Sequence, residues 1–193
     1  FVSNKMKVLI INPPDENTVI EHPDEHGEGF LEADDFGDFP PLGAVYVLSY
    51  LEKQCPHHGL FFIDCIGEKI SHLQLREKLL EIRPDIIGIT SFTISMVDVC
   101  KAARMVREVV PHAHICLGGH HPIAWPFQAA QIPDFDSIVV GEGEIAFTEL
   151  VTAIEENKPF TDILGVYTKD SIERLRGDPI RDNRFLSKVI VPP

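Results

Sequence analysis

PDIIGITSFTISMVDVCKAARMVREVVPHAHICLGG, residues 84–119, holds a strand, a helix and a second strand in that order. Ile86 to Thr90 is a nearly continuous apolar, β-rich run. Val99, Ala103, Val106 and Val110 then recur at spacings of three and four, the stripe of a helix with one buried face. Pro111 closes that helix, because proline cannot continue the hydrogen-bond ladder. His114 to Leu117 returns to the apolar run of a strand. Two strands joined by a helical crossover run parallel, and runs this apolar belong to a sheet covered on both faces.

The same unit repeats outward. Val8 to Ile11 reads as the first strand, Leu60 to Ile63 as the second and Ser137 to Val140 as the fifth. Helical stripes lie between them at Leu48, Leu51 and Cys55, at Leu75, Leu79 and Ile82 before Pro84, and at Phe147, Leu150, Val151 and Ile154. The crossover from Ile123 to Ile132 is only weakly helical. The expected fold is α/β: a Rossmann-like (flavodoxin-like), doubly wound, five-stranded parallel sheet over residues 7–157. Ile163 to Thr168 and Ile172 to Leu175, separated by Lys169, Asp170 and Ser171, read as a β-hairpin appendage within residues 158–177. Residues 178–193 lack periodicity and end in Pro-Pro, as a linker toward a further domain would. Residues 1–6 read as an added leader running into a natural start at Met6.

The 193 residues, 44% hydrophobic, suffice for one core. Thirty acids against 17 Lys and Arg give a net charge of −13, which excludes nucleic acid as the main partner. Cys55, Cys65, Cys100 and Cys116 are separated by 10, 35 and 16 positions, too far apart for a zinc knuckle or a C-x-x-C redox pair. They read as buried thiols of a reducing, cytoplasmic compartment. No apolar run approaches the roughly 20 residues of a membrane span.

In an open parallel sheet, ligands bind outside the carboxyl ends of the strands. Those ends carry Asn12, Pro13 and Pro14; Ser91, Phe92 and Thr93; Gly118, Gly119, His120 and His121; and Gly141, Glu142, Gly143 and Glu144. The glycines let a bulky ligand approach the backbone, and the Ser91 and Thr93 hydroxyls are candidate donors to a ring substituent or phosphate. His120 and His121 can face the rim, where imidazole binds metal or ligand. His57, His58, His72, His112 and His114 sit on helix ends or strand edges and receive no role. From Asp15 to Asp38 the chain has ten acids and no Lys or Arg, and Phe30, Leu31, Phe36 and the following Phe39 give it apolar residues. It reads as an unpacked loop able to act as a lid over the rim.

Pro40-Pro41-Leu42-Gly43 opening a helix, Pro84-Asp85-Ile86-Ile87-Gly88 leading into Thr90-Ser91, Leu117-Gly118-Gly119-His120-His121-Pro122 and Gly141-Glu142-Gly143-Glu144 form one ordered series. Over residues 7–176 the series resembles the N-terminal cobalamin-binding domain of cobalamin-dependent radical SAM enzymes. It is most similar to the group that includes the anaerobic magnesium-protoporphyrin monomethyl ester cyclase. The resemblance implies cobalamin across the strand ends, with Leu42 and Gly43 joining the strand-end residues as cofactor contacts. It also implies a following radical SAM barrel as partner, holding a [4Fe-4S] cluster on C-x-x-x-C-x-x-C and S-adenosylmethionine. That triplet does not occur here, so radical generation is not expected of this chain by itself.

Asp24-Glu25-His26-Gly27-Glu28-Gly29 matches D-x-H-x-x-G, the pattern by which the related methionine-synthase type of domain places histidine on cobalt. This makes His26 a candidate axial ligand, oriented by a neighbouring carboxylate. In that type the motif joins the first strand directly to the first helix. Here it lies eleven residues past Asn12 and eleven before Pro41. The radical SAM group often lacks a histidine ligand, which implies five-coordinate or water-bound cobalt.

Two other readings remain open. A flavodoxin-like nucleotide or flavin domain shares the fold, although Pro-Pro-Asp-Glu after the first strand is no hydroxyl-rich phosphate loop. A corrin-free gating or interaction domain would use Trp125, Pro126 and Phe127 as an interface.

Overall fold

The computed structural model describes residues 5–17, 20–21, 30–31, 40–178 and 180–181. The five expected strands are present: β1 Lys7–Asn12, β4 Gly59–Asp64, β5 Ile86–Ile89, β6 His114–Leu117 and β7 Ser137–Val139. They are parallel and in register, with Val8 between Leu60 and Ile86, and Gly88 between Ile10 and Cys116. Within the acidic segment, β2 Ile20–Glu21 and β3 Phe30–Leu31 pair antiparallel, so that segment holds a small paired element of its own. Most of the expected lid, and the D-x-H-x-x-G motif with His26, lie outside the described residues.

The sheet order is β4-β1-β5-β6-β7-β8, with β8 at Val166–Tyr167. The chain leaves β1 toward one edge and returns past it to build the other, so the topological switch point falls between β1 and β5. Alternation along the strands sends Val8, Ile10, Ile86, Cys116 and Val139 to one face and Leu9, Ile11, Ile87, Ile89, Ile115, Leu117 and Ile138 to the other. The first face is covered by α1 Leu42–Gln54 and α6 Gly143–Glu155, through Leu51, Cys55, Phe147, Leu150 and Val151. The second is covered by α2 His72–Ile82 and α3 Met96–Val109, through Leu75, Leu79, Val99, Ala103 and Val106. Truncating one of these fully buried leucines to alanine costs about 2–5 kcal/mol.

Local chemistry sets the helix ends. Ser71 caps α2 with a reciprocal box: its hydroxyl accepts from Gln74 N, and the Gln74 side chain accepts from Ser71 N. Arg83, left-handed at φ 49°, ends α2 just before Pro84. The weak crossover is two short helices, α4 His120–Ala124 and α5 Pro126–Ala129, broken at Trp125 ahead of Pro126.

The hairpin expected over 163–175 is not formed. Its first arm is β8, Val166–Tyr167, which pairs antiparallel with β7 and makes the sheet six-stranded. Its second arm is helix α7, Lys169–Glu173. Thr168 Oγ1 accepts from Ser171 N, and Ser171 Oγ accepts from Thr168 N, so the residues read as a turn are a helix cap. The four cysteines are free thiols. No helix among the described residues is long and apolar enough to cross a membrane.

Candidate functional site

The carboxyl ends of β1, β5, β6 and β7 surround a cavity of about 700 Å³ that continues down between the sheet and helices α1 and α6. That size lies in the range of about 300–1,000 Å³ usual for small-molecule and cofactor sites. Of the residues singled out in the sequence, Asn12, Pro13, Leu42, Gly43, Ser91, Phe92, Gly118, Gly119, His120, Gly141, Glu142, Gly143 and Glu144 line it. Pro14, Thr93 and His121 do not.

Ser91 and Gly119 organise the rim. Ser91 is buried at the end of β5, and its hydroxyl donates to the Gly118 carbonyl at 2.7 Å. Its own carbonyl accepts from His120 N at 2.8 Å. Gly119 holds φ 89°, and a Cβ there would stand 2.5 Å from Ser91 O and 2.6 Å from Ser91 N. Glycine is therefore required where the β6 end crosses the β5 end. A Cβ on Gly43 or Gly118 would meet nothing within 4 Å, so both backbones border open space.

The hydroxyls expected to serve a ligand have partners within the chain. Ser91 serves Gly118, and Thr93 Oγ1 lies 3.2 Å from His121 Nδ1. His121 is buried, and burial lowers its pKa, which keeps the ring neutral. Its neighbour His120 faces the cavity and stacks on exposed Phe92, with ring centroids 4.6 Å apart and planes inclined by 11°. Asn12 closes the β1 end by donating to Asp64 Oδ1 at 2.7 Å.

The deeper lining was not legible in the sequence. Ile10, Gly88, Cys116 and Val139 come from strand interiors, and Val47 and Phe147 from the facing helices. A Cβ on Gly88 would meet the Phe147 ring at 3.2 Å, so the missing side chain lets that ring pack closely against the centre of the sheet. Burial pushes the Cys116 thiol up to about 12. Glu144, in the first turn of α6 where a carboxylate suits the helix dipole, has a buried Oε2 without a hydrogen-bond partner. The cavity thus offers an apolar interior, bare backbone at the rim and one buried acceptor. Such a lining suits a bulky, largely apolar ring system carrying polar amide donors.

A ligand-binding α/β domain with its site at the switch point is what the fold and cavity define. The model of the B12-binding domain family matches residues 33–151, and the chain belongs to that family. The resemblance read from the strand-end motifs is thereby borne out, cobalamin included. An uncharacterized methyltransferase of Pyrococcus horikoshii is 28% identical over 177 residues, covering 91% of this chain and 35% of that protein. The anaerobic magnesium-protoporphyrin IX monomethyl ester cyclase of Cereibacter sphaeroides is 36% identical over 138 residues, covering 71% of this chain and 22% of that one. Among solved structures, the radical S-adenosylmethionine methyltransferase TsrM of Kitasatospora setae, with cobalamin and a [4Fe-4S] cluster bound, superposes with a TM-score of 0.65 at 20% identity. It covers 84% of this chain and 27% of that one. The chain thus spans about a third or less of the length of these proteins.

Proposed function

We propose that this domain holds cobalamin over the rim, as the B12-binding part of a radical SAM enzyme whose barrel lies elsewhere in the same polypeptide. The observation that carries this is the cavity at the switch point, bordered by Gly43 and Gly118, where the bare backbone leaves room for a large planar ring. When bound, cobalamin would supply a cobalt centre able to carry a methyl group or exchange an electron.

The chain's own residues bind and orient. Asn12, Pro13, Leu42, Gly43 and the Gly118-Gly119 turn would hold the cofactor. Phe92 and His120, stacked together at the rim, would offer it an aromatic contact. Glu144 Oε2 would accept from an amide or hydroxyl of the cofactor, gaining the partner it lacks. Ile10, Gly88, Cys116, Val139 and Phe147 would exclude water from whatever part of the cofactor descends into the cleft. Asn12, Pro14, Thr93, His121 and the remaining rim residues complete the candidate set, with Pro14, Thr93 and His121 acting behind the lining.

The supporting relatives include methyltransferases and a cyclase, so the whole protein's reaction would be methyl transfer or oxidative cyclisation. Mixing the protein with hydroxocobalamin, desalting and recording the visible spectrum tests the binding step. A retained corrin spectrum at one equivalent is expected. Its absence overturns the proposal and favours a corrin-free interaction domain.

A further inference from the structure

At the opposite end of the sheet, beside the amino ends of the strands, His57 and His58 join α1 to β4 and meet Glu155 at the last turn of α6. His57 Nε2 lies 3.0 Å from Glu155 Oε1, and His58 Nε2 lies 3.5 Å from Glu155 Oε2. One ligand atom from each of the three falls within 4.8 Å of the others. We propose that His57, His58 and Glu155 form a binding site for a single divalent transition-metal ion of the zinc type.

The donor set and spacing carry this. Two imidazoles and one carboxylate form a borderline set that suits Zn²⁺ and its neighbours and disfavours the oxygen-seeking Mg²⁺ and Ca²⁺. Ligands about 2.0–2.2 Å from one ion stand roughly 3.0–3.5 Å from each other at cis or tetrahedral angles; each histidine already stands at that distance from one Glu155 oxygen, and the three-atom set, within 4.8 Å, needs only a small contraction. The His58 side chain is fully buried, and its Nε2 makes no hydrogen bond although it faces the carboxylate. An orphaned buried nitrogen is costly, and a metal would satisfy it. His57 is open to solvent on the other side, which gives an ion its way in and leaves room for water ligands. Asp85 adds negative charge near His58, and the chain as a whole carries −13.

The site is not fully preformed. The Met6 N–H donates to His58 Nδ1 at 3.3 Å, which places the ring proton on Nε2. Coordination removes that proton from Nε2 and Nδ1 takes one up, so the long Met6 contact is given up. Metal binding at His58 therefore has a distant reporter, the Met6 amide at the start of β1.

The test is titration of the protein with ZnCl₂ against a chromophoric chelator, followed by amide NMR. We expect a Zn²⁺ ion whose affinity falls at least tenfold in His57→Ala and in Glu155→Gln, and stays unchanged in His112→Ala, which removes an exposed histidine elsewhere. We also expect the Met6 amide resonance to move on addition of zinc. No measurable zinc binding, equal affinity in His57→Ala and Glu155→Gln, or a Met6 amide that does not move would each overturn the proposal. Because His57 is exposed and Glu155→Gln keeps the side-chain shape, misfolding would not account for a loss. The result is independent of cobalamin, which would bind at the other end of the strands.

Discussion

The carbonyl oxygen of Ser91 lies 2.5 Å from the point where a Cβ on Gly119 would stand, while Gly119 itself holds φ 89°. Gly119→Ala therefore combines a backbone clash with an unfavourable left-handed conformation and should cost about 2–4 kcal/mol of stability. Urea unfolding checks this, with a lowered midpoint at unchanged slope expected.

Gly118, one residue earlier, has no such conflict, since a Cβ there meets nothing within 4 Å. Gly118→Leu should fold with a stability within about 1 kcal/mol of the parent. It should also lose most of its retained corrin absorbance after desalting, because the new side chain occupies the space over the rim. A folded variant that keeps cobalamin fully would move the cofactor away from this turn.

Removing the cap of α7 separates it from the sheet. Thr168→Ala deletes the acceptor for Ser171 N and should cost about 1 kcal/mol. Amide exchange should quicken in Lys169–Glu173 while β7 stays protected.

Two thiols should be inert. Burial pushes Cys65 and Cys116 up to about 12, leaving almost no thiolate at pH 8. N-ethylmaleimide followed by mass spectrometry should label the half-buried Cys100 well before either. Cys65 and Cys116 should react only after denaturation.

Acid should destabilise the fold through its buried histidines. Desolvation lowers the pKa of both His114 and His121 below that of an exposed imidazole. The unfolded chain binds protons first, so stability is complete above the unfolded value of about 6.5 and falls as pH drops from there toward the folded values. Urea midpoints measured between pH 8 and pH 5 should decline. The decline should be shallower in His121→Asn, which can keep a polar contact to Thr93 without titrating.

The five parallel strands and their order of crossover were legible because each strand is apolar on both faces and each helix carries one apolar stripe. The second arm of the expected hairpin was misread because Thr168 and Ser171 look alike in a turn and in a capping box. Only the reciprocal hydrogen bonds distinguish the two. At the site, the glycine turns stood out in the sequence, but the direction of the Ser91 hydroxyl did not. Whether it turns outward or back to Gly118 O is decided by a contact 27 residues away. The cleft behind the rim was hidden for a related reason. Gly88 and Cys116 look like ordinary strand interior until register sets them side by side, with Ser137 next in the same row.

That row also says what kind of dimension the cleft has. At Gly88 the absent side chain admits the Phe147 ring close against the strand, so the floor of the cleft is shaped by that pair of residues, with no bend or bulge in the strand pairing around it. Depth is thus a local variable of the sequence, separable from the backbone. Exchanging residues at 88, 116 and 147 among small and large apolar types could lengthen or shorten the recess over one architecture, fitting cofactors with different appendages without redrawing the sheet.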